Sequence, residues 1–135
     1  MLEYGLGMKL LWIGLFGIAG VFARYASGLA IGRALPSSFP YATLVINVTG
    51  AFAIGVTYVL GFERAAIPAE VRVGLMVGFL GGFTTFSSYS LEVARLLEEA
   101  EYAYASLYFG LSNAAGFAAT FLGLVLTRLL IRGEP

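Results

Sequence analysis

The sequence predicts an all-α integral membrane protein of four spanning helices, and three observations carry that class. Hydrophobic residues fill 59% of the 135 positions and charged residues only 12%, against about 25% charged in soluble domains. The few charges leave long uncharged stretches at 10–23, 34–62, 73–91 and 102–127, and a spanning helix needs about 20 mostly apolar residues. The eight basic and eight acidic residues cancel, so there is no electrostatic footprint for nucleic acid. Cys and His are absent, which removes disulfides, thiol nucleophiles, histidine bases and the usual zinc sites.

The first helix is placed at about 9–32. Its uncharged stretch is short, but Tyr25–Ile31 is mostly apolar and carries the helix on past Arg24. It is too long for a cleavable signal and shows no processing site, so it is expected to remain as a span. Pro36, Ser37, Ser38 and Pro40 read as a loop, and the second helix follows at about 41–62. Glu63, Arg64 and Pro68 mark the next turn, and the third helix is placed at about 70–98. Glu98, Glu99 and Glu101 mark the turn into a fourth at about 102–130. Short loops imply a single domain, 1–135, with both termini on one side. Lys9, Arg64, Arg72, Arg128 and Arg132 fall on that side, Arg33 and Arg95 on the other, and Arg24 inside the span near them. The excess favours cytoplasmic termini, but it is small and compatible with insertion in both orientations.

Glycine is abundant, with 18 residues. Gly74, Gly78 and Gly82 make two overlapping GxxxG steps, and Gly14, Gly17 and Gly20 line up on the first helix. Ala51 with Gly55, and Gly110 with Ala114, repeat the theme. Small residues let helix backbones approach closely in lipid. Packing within one chain accounts for the first helix. The third carries more small residues than one neighbour needs, so a homo-oligomer is expected, a dimer being its simplest form.

The third helix also contains Gly81-Gly82-Phe83-Thr84-Thr85-Phe86-Ser87-Ser88-Tyr89-Ser90. Two glycines weaken a helix by about 1 kcal/mol each relative to alanine. Thr84, Thr85, Ser87, Ser88 and Ser90 then bring five hydroxyls, close to mid-bilayer. A continuous helix could bond these hydroxyls back to its own turns. A broken one exposes backbone groups that are ready ion ligands, and survives only when buried in protein or lining a polar cavity. The density of hydroxyls favours the break.

Other polar residues lie within the spans: Asn47, Tyr108, Ser112, Asn113 and Arg24. Buried amides and hydroxyls need partners, so an interhelical hydrogen bond is the plain reading, and for Asn113 the preferred one. Arg24 either snorkels to the interface or faces a wet vestibule that attracts anions. No acidic residue sits mid-span; Glu92, about two turns past Thr84–Thr85, is the nearest. Proton-coupled transporters and cation pumps hold a carboxylate at depth. A path of amides, hydroxyls and aromatic edges suits an anion instead, and Phe86 and Tyr89 share a helical face from which ring edges can be presented.

These residues together resemble the Fluc fluoride channel family, also called CrcB, along essentially the whole chain. The strongest piece is Gly78-Phe79-Leu80-Gly81-Gly82-Phe83-Thr84-Thr85-Phe86-Ser87-Ser88-Tyr89-Ser90-Leu91-Glu92, similar to GxxGGxTTFSTFSxE. Thr43-Leu44-Val45-Ile46-Asn47-Val48-Thr49-Gly50 resembles TLxVNxxG. Gly17-Ile18-Ala19-Gly20-Val21-Phe22-Ala23-Arg24-Tyr25 resembles GxxGAxxRY, with Val21 in place of Ala. Tyr108 and Ser112 match the family's Tyr-x3-Ser.

The resemblance implies an antiparallel, dual-topology homodimer in the plasma or inner membrane, with a third helix broken at its centre and two separate fluoride pores. It implies a structural Na⁺ held by the backbone carbonyls of Gly81 and Thr84 from both subunits. It makes Phe86 the first of two pore aromatics and Asn47 an amide donor to fluoride. Ser87, Ser88 and Ser112 would add hydroxyls beside Tyr108, Thr85 matches the motif, Arg24 would face the vestibule and Glu92 the pore exit. One departure stands out. The second pore aromatic is normally Phe and is here Tyr89, whose hydroxyl requires a partner. The activity implied is passive, fluoride-selective conduction rather than enzymatic turnover. Two alternatives remain: a small four-helix multidrug-type exporter, which would be expected to carry a carboxylate in its first span, and a non-transporting membrane assembly protein.

Overall fold

The computed structural model describes residues 2–131; Arg132, one of the charges counted for orientation, lies outside them. Helix α1 runs Leu2–Ala34, and α2 runs Tyr41–Tyr58 and continues as a π-helical segment, Val59–Glu63. A short α3, Ala69–Val73, passes into a second π-helical segment, Gly74–Leu80, and then a single turn, α4, Gly81–Phe83. The chain straightens for two residues, resumes as α5, Phe86–Glu98, and ends in α6, Tyr102–Ile131. No strand occurs among the described residues. The expected loops are all present. The first helix starts earlier than expected because the uncharged criterion marks only its apolar part, while Glu3 and Lys9 are good helix formers.

Three helical stretches are long and apolar enough to cross a membrane: Gly5–Ala34, Tyr41–Glu63 and Tyr102–Ile131. The 69–98 path is divided, and none of its pieces reaches that length. The outside of the protein is studded with exposed Phe22, Phe117, Phe121 and many leucines. An apolar exterior of that extent has to be covered by lipid or by another chain.

Two close contacts organise the interior: α1 lies along the 69–83 limb, and α2 lies along α6. Both are made by small residues. A Cβ added at Gly78 would stand 2.6 Å from the Ile13 carbonyl and 3.0 Å from Gly17 N. One at Gly82 would stand 2.8 Å from the Gly17 carbonyl, and one at Gly20 would overlap the Phe79 carbonyl. The expectation that this stripe faces another subunit is therefore corrected. Gly74, Gly78 and Gly82 are consumed within the chain, against Trp12, Ile13, Phe16, Gly17 and Val21. The homo-oligomer has to be argued on other grounds. Gly55 does pack as expected, but against Thr120 and Gly123 of α6, whereas Gly110 borders open space.

Alanine at Gly78 is a direct test of the α1 contact. Overpacking against rigid backbone costs about 1–3 kcal/mol, so Gly78→Ala is expected to lower the midpoint of SDS unfolding in detergent. An unchanged midpoint would mean that α1 and the 69–83 limb separate at no cost.

At the far end of α2, the π-helical segment is pinned from outside. Arg72 Nη1 donates to the Gly61 carbonyl at 2.5 Å, and its guanidinium lies 4.0 Å from the Phe62 ring centre. Arg128 then ties α6 to the same segment through a two-pronged ion pair with Glu63.

Candidate functional site

The break falls at Thr84–Thr85, not at the glycine pair expected to cause it. Gly81 is helical at φ −65° and ψ −35°, and no described glycine has positive φ. Thr84 (ψ 159°) and Thr85 (φ −150°, ψ 111°) are the extended residues. The pair serves packing instead, since only a glycine at 82 fits against Gly17. The break is closed by side chains. Asn47 donates from Nδ2 to the Thr85 carbonyl at 3.0 Å and accepts from Thr85 N at 2.8 Å. Its amide thus replaces the two neighbours that a helical backbone would have supplied. Gly50, one turn on, makes room, because a Cβ there would run into the Thr84 methyl.

Thr85 also caps α5. Its Oγ1 accepts from Ser88 N at 3.2 Å and donates to Ser88 Oγ at 3.0 Å, with Ser87 Oγ at 3.3 Å. That is the capping geometry that rescues an orphan N–H at a helix start. Thr84 and Ser90 bond back to Leu80 and Phe86 carbonyls. The hydroxyl cluster therefore splits: two members behave as in a continuous helix, and three form the cap.

These diversions leave two carbonyls without their usual donors. In an unbroken helix Thr85 N would serve Gly81 O and Ser88 N would serve Thr84 O. Both N–H groups are turned to Asn47 and to the Thr85 hydroxyl instead.

Three cavities of about 350–360 Å³ follow one another from the break toward the α5–α6 turn. An open groove is lined by Asn47, Ile54, Met76, Gly81, Thr84 and Phe86. Beyond Thr85, a second cavity is lined by Arg24, Thr43, Ser88 and Glu92. Glu92 forms its far wall and also borders the third, with Ser37, Ser38, Arg95 and Glu99. Arg24 is among the residues that line the middle cavity.

Glu92 is fixed by two hydroxyls, from Thr43 at 2.7 Å and from Tyr108 at 2.6 Å. Tyr108 is fully buried and donates its hydroxyl hydrogen bond to this carboxylate; its ring stacks edge-on to Tyr89 at 5.3 Å. Thr43 belongs to the second motif, where no role is expected of it. Its place one turn before Asn47 is the signal that would have found it. Ser112 Oγ is buried and has no hydrogen-bond partner among the described residues. Phe86 and Tyr89 do stand side by side, at 5.7 Å, but they face differently. Phe86 is 79% exposed and Tyr89 only 8%, with its hydroxyl accepting from Asn113 Nδ2 at 3.0 Å. Asn113 thus makes the interhelical hydrogen bond expected of it.

The described residues hold no cluster of His, Cys, Asp and Glu of the kind that binds transition metals.

Residues 11–124 match the family model described as "CrcB-like protein, Camphor Resistance (CrcB)". The chain is 46% identical over 120 residues to a protein of Pseudomonas syringae pv. tomato named fluoride-specific ion channel FluC, covering 89% of this chain and 97% of that one. It is 50% identical over 113 residues to the like-named protein of Pseudomonas fluorescens Pf-5, covering 84% and 91%. With that of Geobacter metallireducens the identity is 42% over 118 residues, covering 87% and 95%.

Proposed function

Because the chain belongs to the CrcB family, we propose that it is a passive, fluoride-selective ion channel that lets fluoride leave the cytoplasm down its gradient. It is not an enzyme. The observation that carries this reading is the likeness to named fluoride channels along most of both chains. The site supports it. A pore for a small, strongly hydrated anion has to replace water with close donors. The second Nδ2 hydrogen of Asn47, the Ser88 hydroxyl and the charge of Arg24 supply them along the cavities, and the hydroxyls of Ser87 and Ser112 add to them in this proposal. Thr85 holds the cap from which Ser87 and Ser88 project. Phe86 offers ring edges, the positive side of its quadrupole. Chloride, larger and less in need of strong donors, is expected to be excluded.

The α3–α5 pieces together make a fourth crossing in this proposal. The working unit is an antiparallel homodimer of dual topology in the plasma or inner membrane, with two pores. The exposed Phe86 and the open groove beside it support a second subunit as the missing wall. The pore exit lies by Glu92, with Tyr108 and Thr43 holding its carboxylate.

The break also fits the structural Na⁺ of the proposal. Gly81 O and Thr84 O have lost their helical donors to Asn47 and Thr85, and a hard cation takes oxygen ligands of this kind. Bound there, the ion would supply positive charge near the anion path. The rival exporter would need a carboxylate in its first span, and 5–34 contains none.

The test is efflux from proteoliposomes followed with a fluoride electrode, beside matched chloride-loaded vesicles. Rapid loss of fluoride with chloride retained is the expected result. No fluoride loss from demonstrably folded protein would overturn the assignment.

A further inference from the structure

We propose that Asn113 is a positioning residue that turns the Tyr89 hydroxyl into an additional fluoride donor beside Ser112; this rests on the channel reading above and deepens it. The argument starts from hydrogen-bond direction. Asn113 Nδ2 lies 2.7 Å from the Phe109 carbonyl and 3.0 Å from Tyr89 Oη. A carbonyl only accepts, so the atom facing Phe109 is the amide nitrogen and not Oδ1. That nitrogen has two hydrogens, and the two contacts use both. Tyr89 Oη is therefore the acceptor, and its own proton points elsewhere.

Among the described residues, that proton has no protein acceptor. A second hydroxyl in the same situation adjoins Asn113 in sequence. Ser112 sits one turn beyond Tyr108, on whose ring Tyr89 packs, and its buried Oγ is also without a partner. Buried hydroxyls are ordinarily satisfied. Two buried hydroxyls with unpartnered protons, one on α5 and one on α6, call for an acceptor that comes and goes, and a small anion is such an acceptor. Tyr108 cannot join them, because its hydroxyl hydrogen bond goes to Glu92. The amide, by accepting nothing from Tyr89, keeps the phenol proton free. A plain phenylalanine at 89 would offer only ring edges, so this chain has a stronger donor at that point of the path.

The experiment is a double-mutant cycle on the full-length protein in proteoliposomes, reading the fluoride concentration that gives half-maximal initial efflux. Hydrogen bonds to charged groups are among the stronger ones, so Tyr89→Phe is expected to raise that concentration about tenfold, equivalent to about 1.4 kcal/mol. Asn113→Leu in the native background should raise it by a similar factor. In the Tyr89→Phe background, Asn113→Leu should then have no further effect. A shift of equal size in both backgrounds would make Asn113 a packing residue and end the proposal. Unchanged half-saturation in Tyr89→Phe, with the native protein conducting, would end it too while leaving the channel assignment intact. A native protein that conducts no fluoride would instead overturn the channel assignment.

Discussion

Asn47→Leu is expected to collapse the break in the third segment and to abolish fluoride efflux together with a large part of the stability of the fold. The leucine has the same branched heavy-atom skeleton as the amide but none of its hydrogen bonding. Thr85, only 8% exposed, would lose the acceptor for its N–H and the donor for its carbonyl at one stroke. Each buried backbone group left unpaired costs about 1–3 kcal/mol, so the pair costs about 2–6 kcal/mol. That is a large part of the roughly 5–15 kcal/mol that separates folded from unfolded chains. The SDS unfolding midpoint should fall accordingly. Asn47→Asp sharpens the test. Ionised, its carboxylate can still accept from Thr85 N, but it sets a negative oxygen against the Thr85 carbonyl. Protonated, it donates there as the amide does. The folded state thus favours the neutral acid, so the variant should gain stability as pH falls and lose it as pH rises. A pH-independent midpoint would show that the amide's donor is idle and that the break is held by something else.

How much of this was legible beforehand depends on the kind of residue concerned. The loops at Pro36–Pro40, Arg64–Pro68 and 99–101 were legible because prolines and charges punctuate an apolar chain. The interruption of the third helix was legible from its hydroxyls, but its position was not. The glycine pair looked like the weak point, yet glycine in a helix costs only about 1 kcal/mol. The hydrogen bonds of Asn47 and the cap at Thr85 decide the matter two or three residues later. The partner of the glycine stripe was not legible either. Spacing says that a backbone approaches closely, and it does not say whose. Here it is the carbonyls of Ile13 and Gly17. Spacing likewise placed Phe86 and Tyr89 on one face, correctly, but could not show that one ring turns inward onto Tyr108 and Asn113 while the other stays outside. Thr43, Glu92 and Tyr108 come from three separate helical segments, so only the fold could bring them together.

Phe86→Ile is expected to reduce fluoride efflux to the level of protein-free vesicles while leaving stability nearly untouched, and that combination is what gives it force. Phe86 opens α5 directly after the break and is 79% exposed. If it were one more apolar side chain facing lipid, isoleucine would serve as well, and exposed substitutions of that sort change stability by no more than about 0.5 kcal/mol. Isoleucine keeps the apolar bulk and removes the ring edge, the only feature by which an apolar residue attracts an anion. The ring stands at the lip of the groove that Asn47, Gly81 and Thr84 also line, 5.7 Å from Tyr89, where the proposed path leaves one set of donors for the next. Loss of efflux with an unchanged SDS midpoint would therefore place ring-edge chemistry in the conduction path. Retained efflux would make Phe86 part of the lipid-facing exterior. Conduction would then have to run through the cavities lined by Arg24 and Glu92 alone.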